Sequence, residues 1–270
     1  MQARTDAPSV PTRGTLAAFG AGSAVGIVGG LIGLGGAEFR LPLLIGWFRF
    51  AALEAVILNK AISLVVVTSA LPLRAGTVPL ETVASHWPIV VNLLAGSLIG
   101  AWVGAGWATR LAPAALHRTI ACILVIVSLA LLFGHDLTVG APPLEGMARA
   151  IVGVVAGLGI GVVAALIGVA GGELLIPTLV LLFGADIKLA GSLSLAVSLP
   201  TMLTGFARYS RDRSFAVLGR NRIFVIAMAA GSFAGAWVGA QLLGVVPSRW
   251  LIPLLAAILL VLAAKLWWHP

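Results

Sequence analysis

Charged residues are scarce in this sequence. They make up 10% of its 270 residues, whereas hydrophobic residues make up 60%. A soluble domain carries about 25% charged residues, since its surface has to be hydrated. The shortage excludes a soluble enzyme and a disordered chain, and it predicts a polytopic membrane protein. The net charge of +8 does not indicate nucleic-acid binding, because the arginines lie between apolar runs, as the positive-inside rule expects.

Cysteine is nearly absent as well. Cys122 is the single cysteine, which excludes an intramolecular disulfide, a CxxC motif and a cysteine zinc site. Its position inside an apolar run predicts a small buried side chain. The sequence also lacks a Ser/His/Asp set, a carboxylate pair or a group of metal ligands on a common helix face. We therefore expect neither an enzyme nor a resident metal or cofactor.

What the sequence does contain is a duplication. Residues 31–42 read LIGLGGAEFRLP and residues 166–177 read LIGVAGGELLIP, an offset of 135 residues. A second pair of segments at the same offset, 95–105 and 230–240, is identical at nine of eleven positions. The matches include Glu, Pro and Trp in register, which chance similarity between apolar segments does not produce. Two duplicated halves with several membrane segments each are typical of transporters and channels.

The apolar runs divide the chain into an N-terminal tail (1–14), a first membrane repeat (15–134), a linker (135–147) and a second membrane repeat (148–268). Most runs reach about 20 residues, the length of a membrane-spanning helix. We therefore predict an all-α polytopic membrane protein with about eight to ten membrane segments. Four crossings per half would make the repeats parallel, and five would make them inverted. The positions of the basic loops favour inverted repeats with both termini in the cytoplasm.

The second run of each half is too short to cross a membrane. Residues 38–48 and 173–183 each cover 11 residues and follow a glycine-rich break. Glycine allows backbone angles that are closed to other residues, and proline removes a backbone donor. Such breaks are tolerated in a membrane only against protein or a water-filled cavity. We therefore predict Gly-rich re-entrant or broken helices at these two places.

The start of each short arm is the predicted anion site. Free backbone N–H groups at a helix start carry partial positive charge, so two facing arms could hold one anion near the midplane. The candidate substrate-binding residues of the two breaks are Gly35, Gly36, Ala37, Gly171 and Gly172. The prolines that interrupt the helices are candidate gating positions, namely Pro42, Pro177 and Pro200.

Glu38 and Glu173 are the carboxylates within the two breaks. An ionisable group at membrane depth is expensive and is a functional candidate by default. One interpretation makes them substrate contacts, gates or proton carriers, since burial favours a protonated carboxyl. The other makes them caps of the first helical turn that never touch the substrate. The sequence leaves both interpretations open.

The remaining candidate anion ligands are polar side chains at membrane depth: Lys60, Ser63, Ser192 and Ser194. Hydroxyl groups at these spacings can solvate an oxyanion, and they can equally donate to their own helix. Lys60 has no charged counterpart, since the matching position holds Leu195. Three roles are open to Lys60: the counter-charge of the substrate, a partner for Glu38, or a side chain that extends to the membrane interface.

Glycines recur every fourth residue in two long runs of each half. One such series is Gly22, Gly26 and Gly30, and another is Gly153, Gly157 and Gly161. Glycines at this spacing line one helix face and let two helix backbones approach closely. The ridges predict either static close packing or a surface on which helices slide.

These motifs together resemble the TauE/SafE family of sulfite and organosulfonate exporters. The resemblance rests on residues 33–42 and 168–177, on the AGSLSL stretch at 190–195, and on the small-residue segments 95–105 and 230–240. It implies a permease of a bacterial-type inner membrane that transports small sulfur-containing anions. We predict alternating access around a central site between the two breaks, in which one half rocks on the other.

The first repeat departs from the family pattern where it reads NKAIS, at residues 59–63. This departure makes Lys60 the residue expected to set the substrate preference. The expected partners are a small inorganic or organosulfonate anion and the lipid bilayer, and no nucleic acid. Proton coupling and self-association stay open. A passive anion channel, or a permease for another small anion, is the alternative function.

Overall fold

The computed structural model describes residues 12–32, 36–75, 79–134 and 144–242, together with six residues between 257 and 267. All regular secondary structure in these residues is helical. The first half contains α1 (Thr12–Ile32), α2 (Ala37–Gly46), α3 (Ala52–Ala75), α4 (Leu80–Ser85), α5 (Trp87–Ala108) and α6 (Pro113–Gly134). The second half contains α7 (Gly146–Ile167), α8 (Gly172–Phe183), α9 (Ile187–Tyr209), a 3-10 turn (Arg213–Phe215), α10 (Ala216–Arg220) and α11 (Arg222–Leu242).

Five of the described helices are long and apolar enough to cross a membrane: α3, α5, α7, α9 and α11. Shorter apolar stretches occur in α1, α6 and α8. The all-α polytopic membrane fold predicted from composition is thereby confirmed. Residues 1–11 of the predicted N-terminal tail and most of the last apolar run, about 250–268, lie outside the described residues, and α1 begins at Thr12, inside the predicted tail. The domain boundaries stay a prediction.

The short second run of each half forms a separate helix. Helix α2 has 10 residues and α8 has 12. At 1.5 Å per residue they measure about 15 and 18 Å, roughly half of the hydrocarbon thickness. Each follows a glycine in the left-handed region, Gly36 with φ 70° and Gly171 with φ 80°, and each contains the predicted proline. The glycine therefore turns the chain sharply at the point where the arm begins.

The glycine ridges join the two halves to each other. Gly22 and Gly26 of α1 lie against the backbone of Met228 and Ser232 in α11, so closely that a Cβ atom would not fit. The symmetry-related pair is α5 with α7, where Gly157 lies against the backbone carbonyl of Leu93. The first helix of each half thus packs on the glycine-rich helix of the other half. Each half is interlocked with its partner.

Contact register gives the relative directions of several helices. Along α5 and α9, Ser97 contacts Thr201 and Gly106 lies against Arg208, so these two helices run the same way. Successive glycines of α5 lie against successively later residues of α7, so that pair is parallel too. Helices α7 and α9 therefore share a direction, and the short α8 lies between them in the chain.

Helix α3 runs opposite to α7. The backbone of Val56 lies against Gly168, while Lys60 contacts the earlier residue Ala164. If the duplication gives α1 and α3 a common direction, as α7 and α9 have, the two halves point in opposite directions. The register of these contacts is the one that inverted repeats produce.

The prediction of a buried Cys122 is wrong. The side chain lies exposed on α6. The physical reason is that the outer face of a membrane helix is as apolar as its packed face, because it contacts lipid. An apolar run therefore does not distinguish a buried cysteine from one on the outer surface.

Candidate functional site

The two breaks bring Glu38 and Glu173 together. Each glutamate lies in the first turn of its short helix, 2% and 7% exposed respectively. Their carboxyl groups are electrostatic neighbours. The Oε1 atom of each is buried and has no hydrogen-bond partner among the described residues. The duplication matches the two glutamates at an offset of 135 residues. The fold brings their side chains next to each other.

Arg40 lies beside this carboxyl pair and was not predicted as a site residue. It is fully buried, and its guanidinium is an electrostatic partner of Glu38. Its Nη1 donates to Oδ1 of Asn59 at 3.3 Å and to Oγ of Ser63 at 3.1 Å. An arginine inside an apolar motif was the available signal, because a buried guanidinium needs several acceptors.

Asn59 ties the two breaks together. Its Nδ2 donates to the carbonyl of Ala37 in the first break and to that of Ile167 in the second, both at 3.0 Å. The Ile167 carbonyl belongs to the last turn of α7, whose end has no helical partner of its own. One side-chain amide therefore donates to a buried backbone carbonyl from each half.

Lys60 lies at the junction of α3, α7 and α9. It is fully buried, and its Nζ donates to the carbonyl of Ala164 at 3.4 Å. Gly205 leaves room for the ammonium group, since a Cβ there would lie 3.3 Å from Nζ. Complete burial makes the interface position wrong for Lys60. Among the described residues, no ion pair links Lys60 to Glu38. The cation beside Glu38 is Arg40.

Only part of the predicted hydroxyl set joins this cluster. Ser63 accepts from Arg40, whereas Ser194 donates to Gly191 of its own helix at 2.8 Å. Ser192 likewise points its Oγ toward the carbonyl of Lys188, at 3.5 Å. The sequence left two roles open for these hydroxyl groups, anion binding or a hydrogen bond to their own helix. Both serines make the contact with their own helix.

The other predicted positions lie on or near the short arms. Ala37 and Gly172 are the first residues of α2 and α8, and Gly36 packs against the backbone of Val25. Pro42 and Pro177 lie inside these helices, and Pro200 lies inside α9. Gly35 lies outside the described residues. Across the described ranges, no group of three His, Cys, Asp or Glu side chains could hold a metal ion.

Comparison with known proteins identifies the family. The family model described as sulfite exporter TauE/SafE matches residues 11–266. The chain belongs to the TauE/SafE family. It is therefore an integral membrane protein of a family that transports small sulfur-containing anions, as the sequence motifs predicted. Neither the search of curated proteins nor that of solved structures finds a match.

Proposed function

We propose that this chain carries sulfite or an organosulfonate across the membrane through a site between α2 and α8. The observation that carries the proposal is the meeting of Glu38 and Glu173 at the starts of the two short arms. Two buried cations, Arg40 and Lys60, lie on α2 and the adjoining α3. A protein interior does not hold four ionisable groups at such a junction for stability alone, because each costs desolvation.

The anion contacts come from side chains and backbone together. Arg40 and Lys60 supply positive charge, and Ser63 supplies a hydroxyl. The N–H groups at the starts of α2 and α8 add partial positive charge from both sides. A small oxyanion has acceptor oxygens that point in several directions. Donors from several helices therefore suit it better than a single bidentate guanidinium.

The carboxyl pair is the proposed route for proton coupling. Two ionised carboxylates in contact repel, so the pair is stabilised by one shared proton. Among the described residues, the other ionisable groups that are completely buried are Arg40 on α2, Lys60 on α3 and Tyr209 on α9. An anion that enters beside Arg40 changes the charge balance of the pair, and a proton taken up there would move with the anion.

The glycine contacts shape the proposed alternating access. Backbone-to-backbone packing of α1 on α11 and of α5 on α7 leaves no slack for sliding. We therefore assign helices that pack together to the same moving unit. One unit contains α1, α2, α3 and α11, and the other contains α5, α7, α8 and α9. Each unit contains helices from both halves. The four ionisable groups lie at the boundary between the units.

Sulfite counterflow tests this function. Purified full-length protein in proteoliposomes loaded with unlabelled sulfite should take up radiolabelled sulfite transiently and saturably. Organosulfonates such as taurine and sulfoacetate should be tested as competitors. Sustained single-channel current in a planar bilayer, without saturable exchange, would identify a passive anion channel instead. No uptake by correctly inserted protein would contradict the sulfite assignment.

A further inference from the structure

A second cavity lies apart from the carboxyl pair and shares no residue with it. This apolar groove is formed by α6 and by helical residues near the C-terminus, and its volume is about 570 Å³. Small side chains such as Ala121 and Ala264 line it between larger ones such as Ile126, Leu260 and Trp267. The volume falls within the range of sites for small organic ligands, about 300–1,000 Å³. We call this surface the α6 groove.

The α6 groove is open on the outside of the molecule. Its side chains Val125, Ile126, Leu260 and Trp267 are large, apolar and exposed. They belong to apolar segments of a membrane protein, so the exposed faces contact hydrocarbon rather than water. A groove without polar partners does not hold water, and inside a bilayer an acyl chain is the molecule available to fill it.

One end of the groove has a positive charge beside it. Arg118 is exposed, and it precedes Cys122 of the groove by about one helical turn. The guanidinium carbon of Arg118 lies 6.0 Å from the centre of the Trp267 ring, which lines the groove. In the part of the chain that the structure describes, no carboxylate forms an ion pair with Arg118. The groove therefore combines an apolar surface with a cation at one end.

The helix directions place Arg118 on the cytoplasmic side. Gly106, near the end of α5, lies against Arg208, near the end of α9. The segment 208–222 contains five arginines, so the positive-inside rule assigns this side to the cytoplasm. A short loop, residues 109–112, joins α5 to α6, which puts the start of α6 on the same side. Anionic lipids give the cytoplasmic leaflet a negative surface potential, which complements the charge of Arg118.

We propose that the α6 groove binds an anionic glycerophospholipid of the cytoplasmic leaflet. One acyl chain lies in the groove against Ile126 and Leu260, and the headgroup phosphate accepts a hydrogen bond from the guanidinium of Arg118. The ring of Trp267 lies where the two parts of the lipid meet, as aromatic side chains do at a membrane interface. A zwitterionic lipid offers the same chain, but its own cation competes with Arg118 for the phosphate.

Photocrosslinking tests this site in the full-length protein. Phosphatidylglycerol with a diazirine in one acyl chain is added to the detergent-solubilised protein, and the labelled residues are mapped by peptide mass spectrometry. The label should concentrate on the groove residues of α6. Unlabelled phosphatidylglycerol should compete at a concentration about tenfold lower than phosphatidylcholine with the same chains, the ratio that a charge-assisted hydrogen bond supports. Equal competition, or label spread evenly over the outer faces of α5, α7 and α11, would overturn the proposal.

Variants assign the headgroup and the chain to separate residues. Arg118→Gln should remove the preference for phosphatidylglycerol, and Arg222→Gln, at an exposed arginine that begins α11, should retain it. Ala264→Phe places a ring in the groove and should suppress labelling of α6 by either lipid. Ala234→Phe makes the same change at an exposed position of α11 and is its control. A preference that survives in Arg118→Gln, or unchanged labelling in Ala264→Phe, would contradict the site.

A second copy of the chain is the other possible occupant of the α6 groove. Cys122 is the single cysteine and is exposed in the groove, so it reports on this alternative directly. Oxidation of the protein in its native membrane should give no disulfide-linked dimer if a lipid fills the groove. A high yield of dimer through Cys122 would show that a second copy covers this surface, and it would refute the lipid site.

Discussion

The side-chain amide of Asn59 donates to the backbone carbonyl of Ile167, 108 residues further along the chain, at 3.0 Å. The same amide donates to Ala37, so it joins the breaks of the two repeats. Replacing Asn59 with Leu leaves the Ile167 carbonyl, in the last turn of α7, without a donor. We expect Asn59→Leu to lower the free energy of unfolding by about 1–3 kcal/mol, the cost of one unsatisfied buried group.

Thermal unfolding of the purified protein in detergent measures this loss. Asn221→Leu is the control, since Asn221 makes one local bond, to Val217 of the preceding turn. The control should cost about 1 kcal/mol or less. Equal melting temperatures for Asn59→Leu and Asn221→Leu would show that Asn59 does not hold the two breaks together.

The glycine ridge of α1 allows a comparison within one helix. Gly26 lies against the backbone of Ser232, whereas Gly20 has open space around its Cβ position. Gly26→Leu should separate α1 from α11 at a cost of about 3 kcal/mol or more, and Gly20→Leu should be nearly neutral. The yield of monodisperse protein on size-exclusion chromatography tests this. Similar yields for both variants would refute close packing at the ridge.

A disulfide can distinguish the two ways in which the molecule could move. The hydroxyl oxygens of Ser97 on α5 and Thr201 on α9 are 2.7 Å apart, and they join one half to the other within one proposed moving unit. In a Cys122→Ser background, oxidised Ser97→Cys with Thr201→Cys should retain most sulfite exchange. Loss of exchange on oxidation, restored by reduction, would show instead that the halves move against each other as sequence units.

Much of the fold could be predicted from the sequence, because the relevant signals are local or repeated. The short arms follow from glycine and proline, and the duplication follows from residue identities at one offset. The packing of α1 on α11 and of α7 on α5 could not be predicted. A row of glycines allows close packing but does not specify the partner helix.

The site was predicted less completely than the fold. Glu38, Lys60 and Ser63 were identified from polarity at membrane depth, and all three lie in or next to the cluster. Arg40, two residues after Glu38 in the same motif, was not predicted as a site residue. Ser194 was included by polarity, although its hydroxyl bonds to its own helix. Only the tertiary fold distinguishes a polar group turned to a neighbouring helix from one satisfied locally.

The roles of Glu38 and Glu173 are tested most directly by sulfite counterflow in proteoliposomes across a range of pH. The variants are Glu38→Gln, Glu173→Gln and the double replacement, with the exposed Glu81→Gln as the control for the same chemical change. We predict that each single replacement slows exchange at least about 100-fold, the lower end of general acid–base effects, and that the double variant loses its pH dependence. Normal exchange with unchanged pH dependence in a well-expressed double variant would contradict transport through the paired breaks.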